Sequence, residues 1–294
     1  MEIQQLRSFR AVASLLSFNK AADRLHYAQS SISAQIRSLE EELGVHLFDR
    51  LGKSIRLTES GAVLLQYANK ILDLVDESQA SVRNKEPVGS LTVRIPESFG
   101  IYHLPPVLKE FHAKYPKVHL NLISCALEGL DKDLRKGVTD LAFLLAETFS
   151  AADLEVEPLG FESLVLVASP QHPLSAKRTV HTRDLSGQTI LFSSLNCGYK
   201  SIFEQVLKNE EVDNYNKIEC GSLEVIKNSV IGGLGVSVLP EVAVAAEVER
   251  KRLVILPWSE GGLDVAILMI WYKDKWISPT LHAFMDVTRK IMKT

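Results

Sequence analysis

The spacing of hydrophobic residues in this chain changes character once, at Pro87-Val88-Gly89-Ser90. Before that point apolar residues recur mainly in steps of three and four. After it, short β-rich runs alternate with helical patterns. The two patterns bury different faces, so the change divides the chain into a mainly helical first part and an α/β second part. A Pro and a Gly this close together suit a hinge between domains. A chain of 294 residues is long enough for two or three compact units. With 46% hydrophobic and 23% charged residues it has the material of an ordinary globular protein.

In the first part, Leu6, Phe9, Val12, Ala13 and Leu16 mark one amphipathic helix. Ser17 is placed to cap a short second helix through Phe18, Ala21, Ala22 and Leu25, with the Ala pair small enough for another helix to approach. A polar break at His26 to Gln29 leads to a third helix that runs to about Leu43 and ends at Gly44. Residues 18–37 thus read as a helix-turn-helix. Ile32, Ile36, Leu39 and Leu43 share one face of the third helix; Gln29, Ser30, Ser33, Ala34 and Arg37 lie on the other. Short donors and acceptors near a helix start, with Arg a turn on, suit insertion into a DNA major groove. A merely solvated polar face has the same pattern.

Charge adds to the DNA reading. The whole chain carries −3, which gives no global sign of a nucleic-acid partner. Between Arg7 and Arg37, however, five basic residues (Arg7, Arg10, Lys20, Arg24, Arg37) face one acid, Asp23. Beyond Glu40-Glu41-Glu42, the stretch LFDRLGKSIRLT predicts a hairpin with its tip at 51–54, leaving Arg50, Lys53 and Arg56 for phosphate. The whole of 1–58 is expected to be a winged helix-turn-helix.

Thr58 is a natural N-cap, with Glu59 in the first turn. Leu64, Ala68, Ile71, Val75, Ser78 and Val82 then step by four and three alternately, a heptad seam. The spacing predicts a linker helix over 59–86, with Leu64, Ala68, Ile71 and Val75 as dimerisation contacts; packing against the chain's own body is the alternative.

Across 87–294 the runs LTVRI, VHLNLI and DLAFLL are predicted as strands, separated by helices over FGIYHLPPVLKEFHAKY and LEGLDKDLRKG. Further strands are expected near 163–168, 189–192, 217–219, 235–239 and 265–271. This argues for open, mainly parallel α/β sheets whose strand-helix junctions form ligand crevices. No G-x-S-x-G, P-loop or H-E-x-x-H occurs, and Gly232-Gly233-Leu234-Gly235 lacks dinucleotide spacing and reads as a tight turn. The eight histidines show no triad or metal spacing, so neither an enzyme, a metal nor a cofactor is indicated. Cys125, Cys197 and Cys220 are too scattered for a disulfide scaffold. They read as buried small side chains, or as thiol sensors if exposed and acidic. With no apolar leader and no run long enough to cross a membrane, the protein is expected in the cytosol.

The run SFNKAADRLHYAQSSISAQIRSLEEELGVHLFDR followed by RLTESG resembles the DNA-binding domain of LysR-type transcriptional regulators of bacteria. VRIPESFGIYHLPPVLKEFHAKYPKVHL, LVLVASPQHPLS and SLEVIKNSVIGGLGVSVLP resemble segments of that family's effector-binding domain. Two departures stand out: Ala28 where the family carries Ser or Thr, and Ser30 where it carries Pro. The usual cap is therefore missing, and Ser30 is left to cap one turn later. The resemblance implies a regulator acting on double-stranded DNA with a two-fold symmetric site. It implies a homodimer or homotetramer, RNA polymerase as a candidate partner, and a small effector between two periplasmic-binding-protein-like lobes. The first lobe is expected at 90–161 plus 267–294, the second at 162–266. Effector contacts are expected at Ser98 and Phe99, at Ala126 or Leu127, and across the cleft at Asn196, Lys200 and Ser222; ordinary capping would use the same residues. The competing class is a ligand-binding or catalytic α/β protein whose first helices serve only to oligomerise.

Overall fold

In a computed structural model of the chain, residues 1–51, 54–82, 87–124, 129–146, 149–193, 198–259 and 263–293 are described, and the chain divides at Gly89/Ser90 into two units. The first unit opens with α1 (Ile3–Leu15), α2 (Phe18–Leu25) and α3 (Gln29–Leu43). Ser17 caps α2 by accepting from the Lys20 N–H, and Gly44 ends α3 in the left-handed region at φ 68°. Leu16, expected in the apolar stripe of α1, is instead its C-cap at φ 46° and half exposed. The helices bury Leu6, Phe9, Val12, Phe18, Ala21, Ala22, Ile32, Ile36 and Leu39 in one cluster.

The strands β1 (Phe48–Leu51) and β2 (Ser54–Leu57) pair antiparallel, with Phe48 opposite Leu57 and Arg50 opposite Ile55. Glu40, in the last turn of α3, fixes the base of this hairpin: its Oε1 accepts from the Leu47 N–H at 2.7 Å and the Phe48 N–H at 3.4 Å. The next helix, α4 (Glu59–Val82), starts at Thr58, whose Oγ1 donates to the His46 carbonyl at 2.7 Å and accepts from the Gly61 N–H at 2.9 Å. Gly61 lies so close to the hairpin that a Cβ would stand 2.1 Å from the Leu47 carbonyl oxygen. The T-x-x-G spacing is therefore a packing requirement, with Thr as cap and Gly for close approach.

The second unit runs β3 (Gly89–Ile95), α5 (Glu97–Tyr102), α6 (Leu104–Lys114), β4 (Val118–Ser124), α7 (Leu130–Arg135), β5 (Leu141–Ala146) and β6 (Leu154–Ala168). It continues with β7 (Thr189–Ser193), α8 (Gly198–Asn209), β8 (Asn216–Cys220), α9 (Leu223–Ile231), β9 (Ser237–Pro240) and α10 (Glu241–Glu249). The last elements are β10 (Val254–Ile255), β11 (Leu263–Tyr272) and α11 (Pro279–Met292). The helix expected over FGIYHLPPVLKEFHAKY is two helices broken at His103. Pro105 and Pro106 have no N–H to give to the preceding turn, so they open α6 rather than continue α5.

Seven strands form a sheet in the order β10-β6-β11-β5-β3-β4, with β9 also on β6; β7 and β8 pair separately and parallel. The expectation of mainly parallel sheets is corrected. β3–β5 is parallel, but β5–β11, β6–β11, β6–β9 and β6–β10 are antiparallel. The reason is topological: the long strands β6 and β11 lie against each other over most of their length and carry the chain out and back. Their ends define two lobes. The start of β6 pairs with the end of β11, which in turn pairs with β5; the end of β6 pairs with β9 and β10. The first half of β6 escaped the sequence reading because Pro158 and Gly160 look like a break. They sit instead at an irregularity, where the partners jump from Ile267 opposite Gly160 to Leu268 opposite Pro158.

One apolar cluster runs through both lobes, from Val93, Phe99 and Phe111 to Phe192, Phe203 and Trp258. A separate cluster under α9 and α10 holds Leu223, Ile226, Val230, Leu239 and Val244. At the turn after α9, Gly233 takes φ 82°, and a Cβ on Gly235 would stand 2.1 Å from the Thr189 carbonyl oxygen. Among the described residues no helix is long and apolar enough to cross a membrane, and no group of His, Cys, Asp or Glu could hold a metal ion.

Candidate functional site

The polar face of α3 is built by its apolar one. Ile32, Ile36 and Leu39 are buried, and this turns Gln29, Ser30, Ala34 and Arg37 to solvent, with Ser33 half-buried. The Gln29 side-chain amide donates to the Ser33 Oγ at 2.9 Å, one turn along the same helix. Ala28 is the N-cap and supplies no side-chain bond; Ser30 lies inside the first turn, so the expected late cap at Ser30 is corrected. The backbone carbonyl of Ala28 does the closing, accepting from the Ser31 and Ile32 N–H groups. Two side-chain bonds from α1 hold the helix: Ser8 bonds Gln35, and the Gln5 amide donates to the Ser38 Oγ at 3.1 Å.

Arg56 is exposed on β2. Arg50 lies on β1, but its side chain, like Lys53, falls outside the described residues. Two members of the basic excess are accounted for elsewhere: Arg7 pairs with Asp76 at 2.6 Å and Arg10 with Asp73 at 3.5 Å, both acids on α4. Lys20 and Arg24, on α2, are exposed. The sequence count thus overstated the charge available to DNA, because it could not see which arginines tie α1 to α4.

The heptad seam is corrected in part. Ala68 has no exposed surface and packs, with Leu72, inside the first unit's own core; Leu64 and Ile71 are partly buried against it, and Val75 is half-buried. Among the described residues, the exposed large apolar side chains of α4 are Val63, Tyr67 and Leu74, one position earlier around the helix. A one-residue offset turns a helix by about 100°, which separates the face that packs on α1 from the face left open. Both faces repeat at the same spacing, so the sequence could not rank them.

In the second unit, Ser98 is buried at 2% exposure and its Oγ has no hydrogen-bond partner. Its neighbour Phe99, the other contact expected there, is fully buried and stacks on Phe143 with centroids 4.3 Å apart. Lys200 on α8 is paired with Glu219 at 2.8 Å. Hydrogen bonds from Lys200 and Lys217 hold the Glu219 carboxyl below its usual value. Ala126, Leu127 and Asn196, along with Cys125 and Cys197, lie outside the described residues, and Cys220 is a half-buried free thiol.

Ser222 is the N-cap of α9, yet its hydroxyl makes no cap bond; it donates to Glu97 Oε1 at 3.0 Å. Glu97 Oε2 accepts from the Leu223 N–H at 2.8 Å. The sequence reading passed over Glu97, one residue before Ser98, because nothing local marks a partner 126 positions away. At the other end of α5 the Tyr102 hydroxyl donates to the Ala243 carbonyl at 3.3 Å and receives the Lys227 ammonium at 3.4 Å. Lys227 is buried and lies 2.7 Å from Glu224. Burial alone would lower its pKa, but hydrogen bonds with Glu224 and Tyr102 outweigh that and raise it. His103 pairs with the buried Glu162 on β6.

Residues 3–62 match the family model described as bacterial regulatory helix-turn-helix protein, lysR family, and residues 84–293 match the LysR substrate binding domain. Over 295 aligned residues the chain is 38% identical to an uncharacterized HTH-type transcriptional regulator, YwqM, of Bacillus subtilis, with both chains fully covered. The regulator YofA of the same species is 31% identical, covering 97% of this chain and 98% of that one. Among solved structures, a single-substitution variant of full-length OxyR from Pseudomonas aeruginosa matches with a TM-score of 0.70 at 26% identity, over 100% of this chain and 95% of that one. CbnR complexed with its target DNA has the same fold, with a TM-score of 0.69 at 24% identity over 99% of this chain and 100% of that one. The chain belongs to the LysR family: it is a transcriptional regulator with an N-terminal helix-turn-helix DNA-binding domain and a C-terminal effector-binding α/β domain.

Proposed function

We propose that α3 reads a two-fold symmetric DNA site as part of a homodimer. Gln29, Ser30, Ser33, Ala34 and Arg37 meet base edges, and Arg50, Lys53 and Arg56 of the wing hold phosphates. The observation that carries this reading is the outward polar face of α3, on which the Gln29–Ser33 bond is internal to the helix. A phosphate near Ala28 would supply the negative charge that a side-chain cap ordinarily brings to a helix start. Dimerisation is assigned to α4, through Val63, Tyr67 and Leu74, with Leu64, Ile71 and Val75 at the margin and Ala68 left to the domain core. In domain terms, 1–58 binds DNA, 59–86 links and pairs, and 87–294 senses.

The effector site is assigned to the cleft between the lobes of the second unit. Ser98 and Ser222 contribute hydroxyls there, Ala126 or Leu127 and Asn196 are kept as further contacts, and Lys200 stands by in its pair with Glu219. A ligand there regulates only by favouring one arrangement over another, so its effect is limited to its difference in affinity between the two.

The test is fluorescence polarisation of the full chain on labelled duplex from upstream of its own gene, across a salt series. Specific binding that weakens steeply as salt rises supports the reading, because phosphate contacts release counterions. Absence of binding to that duplex and of footprints on a genomic fragment library would overturn it.

A further inference from the structure

We propose that Glu97 is an internal carboxylate latch, which holds the two lobes together by filling the anion position at the start of α9. The inference goes beyond effector binding, since it concerns what the protein's own side chain does in that cleft.

Three observations carry it. The first is the misdirected cap. A serine at an N-cap ordinarily turns its oxygen onto the helix's own early N–H groups. Ser222 is in N-cap conformation at φ −141° and ψ 135°, but its hydroxyl donates outward to Glu97 Oε1. The second is the substitute cap. Glu97 Oε2 accepts the Leu223 N–H at 2.8 Å, so one carboxylate from the first lobe takes both the hydroxyl and the first amide of a second-lobe helix. Charge-assisted bonds of this kind, at the positive end of a nine-residue helix, are the stronger class of hydrogen bond.

The third observation is that α5 is fastened at both ends. Tyr102 packs against the apolar cluster under α9 and α10, and its hydroxyl reaches the Ala243 carbonyl and Lys227. Glu97 and Tyr102 open and close the six-residue α5, so the helix acts as a strap from one lobe onto the other. The buried, unpartnered hydroxyl of Ser98 sits between them in sequence, and it is the group a ligand would satisfy once the strap moved. An anionic ligand reaching Ser222 and the Leu223 amide must take them from Glu97, which couples its entry to release of the latch.

The experiment is hydrogen–deuterium exchange on the full chain, comparing wild type with Glu97→Ala and Glu97→Gln. Exchange at the start of α9 is expected to rise about tenfold in Glu97→Ala, as loss of a charged acceptor implies, and by less in Glu97→Gln. Sodium acetate at tens of millimolar should restore protection in Glu97→Ala, where sodium chloride does not, because the free carboxylate re-enters the vacated position. Unchanged exchange at α9 in both variants overturns the latch, as does loss of protection confined to α5. If Glu97→Ala does not fold, Glu97→Gln carries the same comparison: faster exchange at α9 supports the latch and no change overturns it. No readout involves DNA or an effector, so failure here leaves the proposed function standing and is distinguishable from its failure.

Discussion

The polar face of α3 and the polar groups between the lobes of the sensor unit are held in opposite ways. On α3 the candidate contacts are exposed apart from the half-buried Ser33, and Gln29 bonds Ser33 within a single helix. In the sensor unit, Glu97 holds Ser222 and Leu223, Glu219 holds Lys200, and Tyr102 reaches Lys227. A polyanion approaching α3 gives up water and side-chain freedom but breaks no contact between parts of the protein. A ligand at the proposed effector site would have to replace contacts the protein already makes. The first arrangement suits constant affinity for DNA. The second ties binding to a change of shape, which is what a ligand needs if it is to shift a conformational equilibrium.

The largest effect that would sharpen this contrast lies at the join of the first unit. Gly61→Ala places a Cβ against the Leu47 carbonyl and should destabilise that unit by about 3 kcal/mol. Two separate unfolding transitions by calorimetry, with only the lower one moved, would show that the units are energetically distinct. A single shifted transition would break the comparison.

Next comes the open face of α4. Leu74→Glu and Tyr67→Glu should raise the dimer dissociation constant by roughly thirty- to a hundredfold in sedimentation experiments, with helicity intact. Ala68→Glu should instead unfold the first unit, because it buries a charge in its core. Equal behaviour of the three variants would refute the offset seam.

A smaller effect is expected on the DNA face. Arg37→Ala should weaken specific binding roughly ten- to a hundredfold and leave the oligomer unchanged. Arg56→Ala should weaken all sequences alike and reduce the salt slope by about one. Dissociation of the oligomer in Arg37→Ala would mean that a packing residue had been taken for a DNA contact.

The smallest is a pH effect confined to the sensor unit. The Arg289 guanidinium donates to both oxygens of Glu157, at 2.9 and 2.7 Å, and holds that carboxyl below its ordinary value. The folded pKa is depressed, so the pair's contribution is fully present above the unfolded value of about 4.3 and is lost as pH falls through the folded value. Arg289→Ala should flatten acid unfolding below that range by about 1 kcal/mol or less, since both side chains are partly exposed. An unchanged acid profile would count against the pair.

What could be read directly was whatever is local. The α2 cap at Ser17, the end of α3 at Gly44 and the start of α4 at Thr58 follow from backbone groups whose partners lie within a few residues. The apolar face of α3 likewise determined its polar face, because the helical period fixes both together. The family resemblance added the two-lobed plan, which periodicity alone had only outlined.

What needed the tertiary structure was every choice between equivalent local patterns. Two faces of α4 share one spacing, and only packing on α1 shows that Ala68 goes inward while Val63, Tyr67 and Leu74 stay out. Arg7 and Arg37 are the same residue type, yet one is held by Asp76 and the other is exposed. Pro158 and Gly160 look like a break until β11 is laid beside them. Glu97 and Ser222 are each ordinary in sequence, and their contact joins residues 125 positions apart that only the folded chain brings together. Local pattern specifies elements because hydrogen bonds and periodicity act over a few residues. Partnership across a hundred residues is decided only when the chain closes on itself.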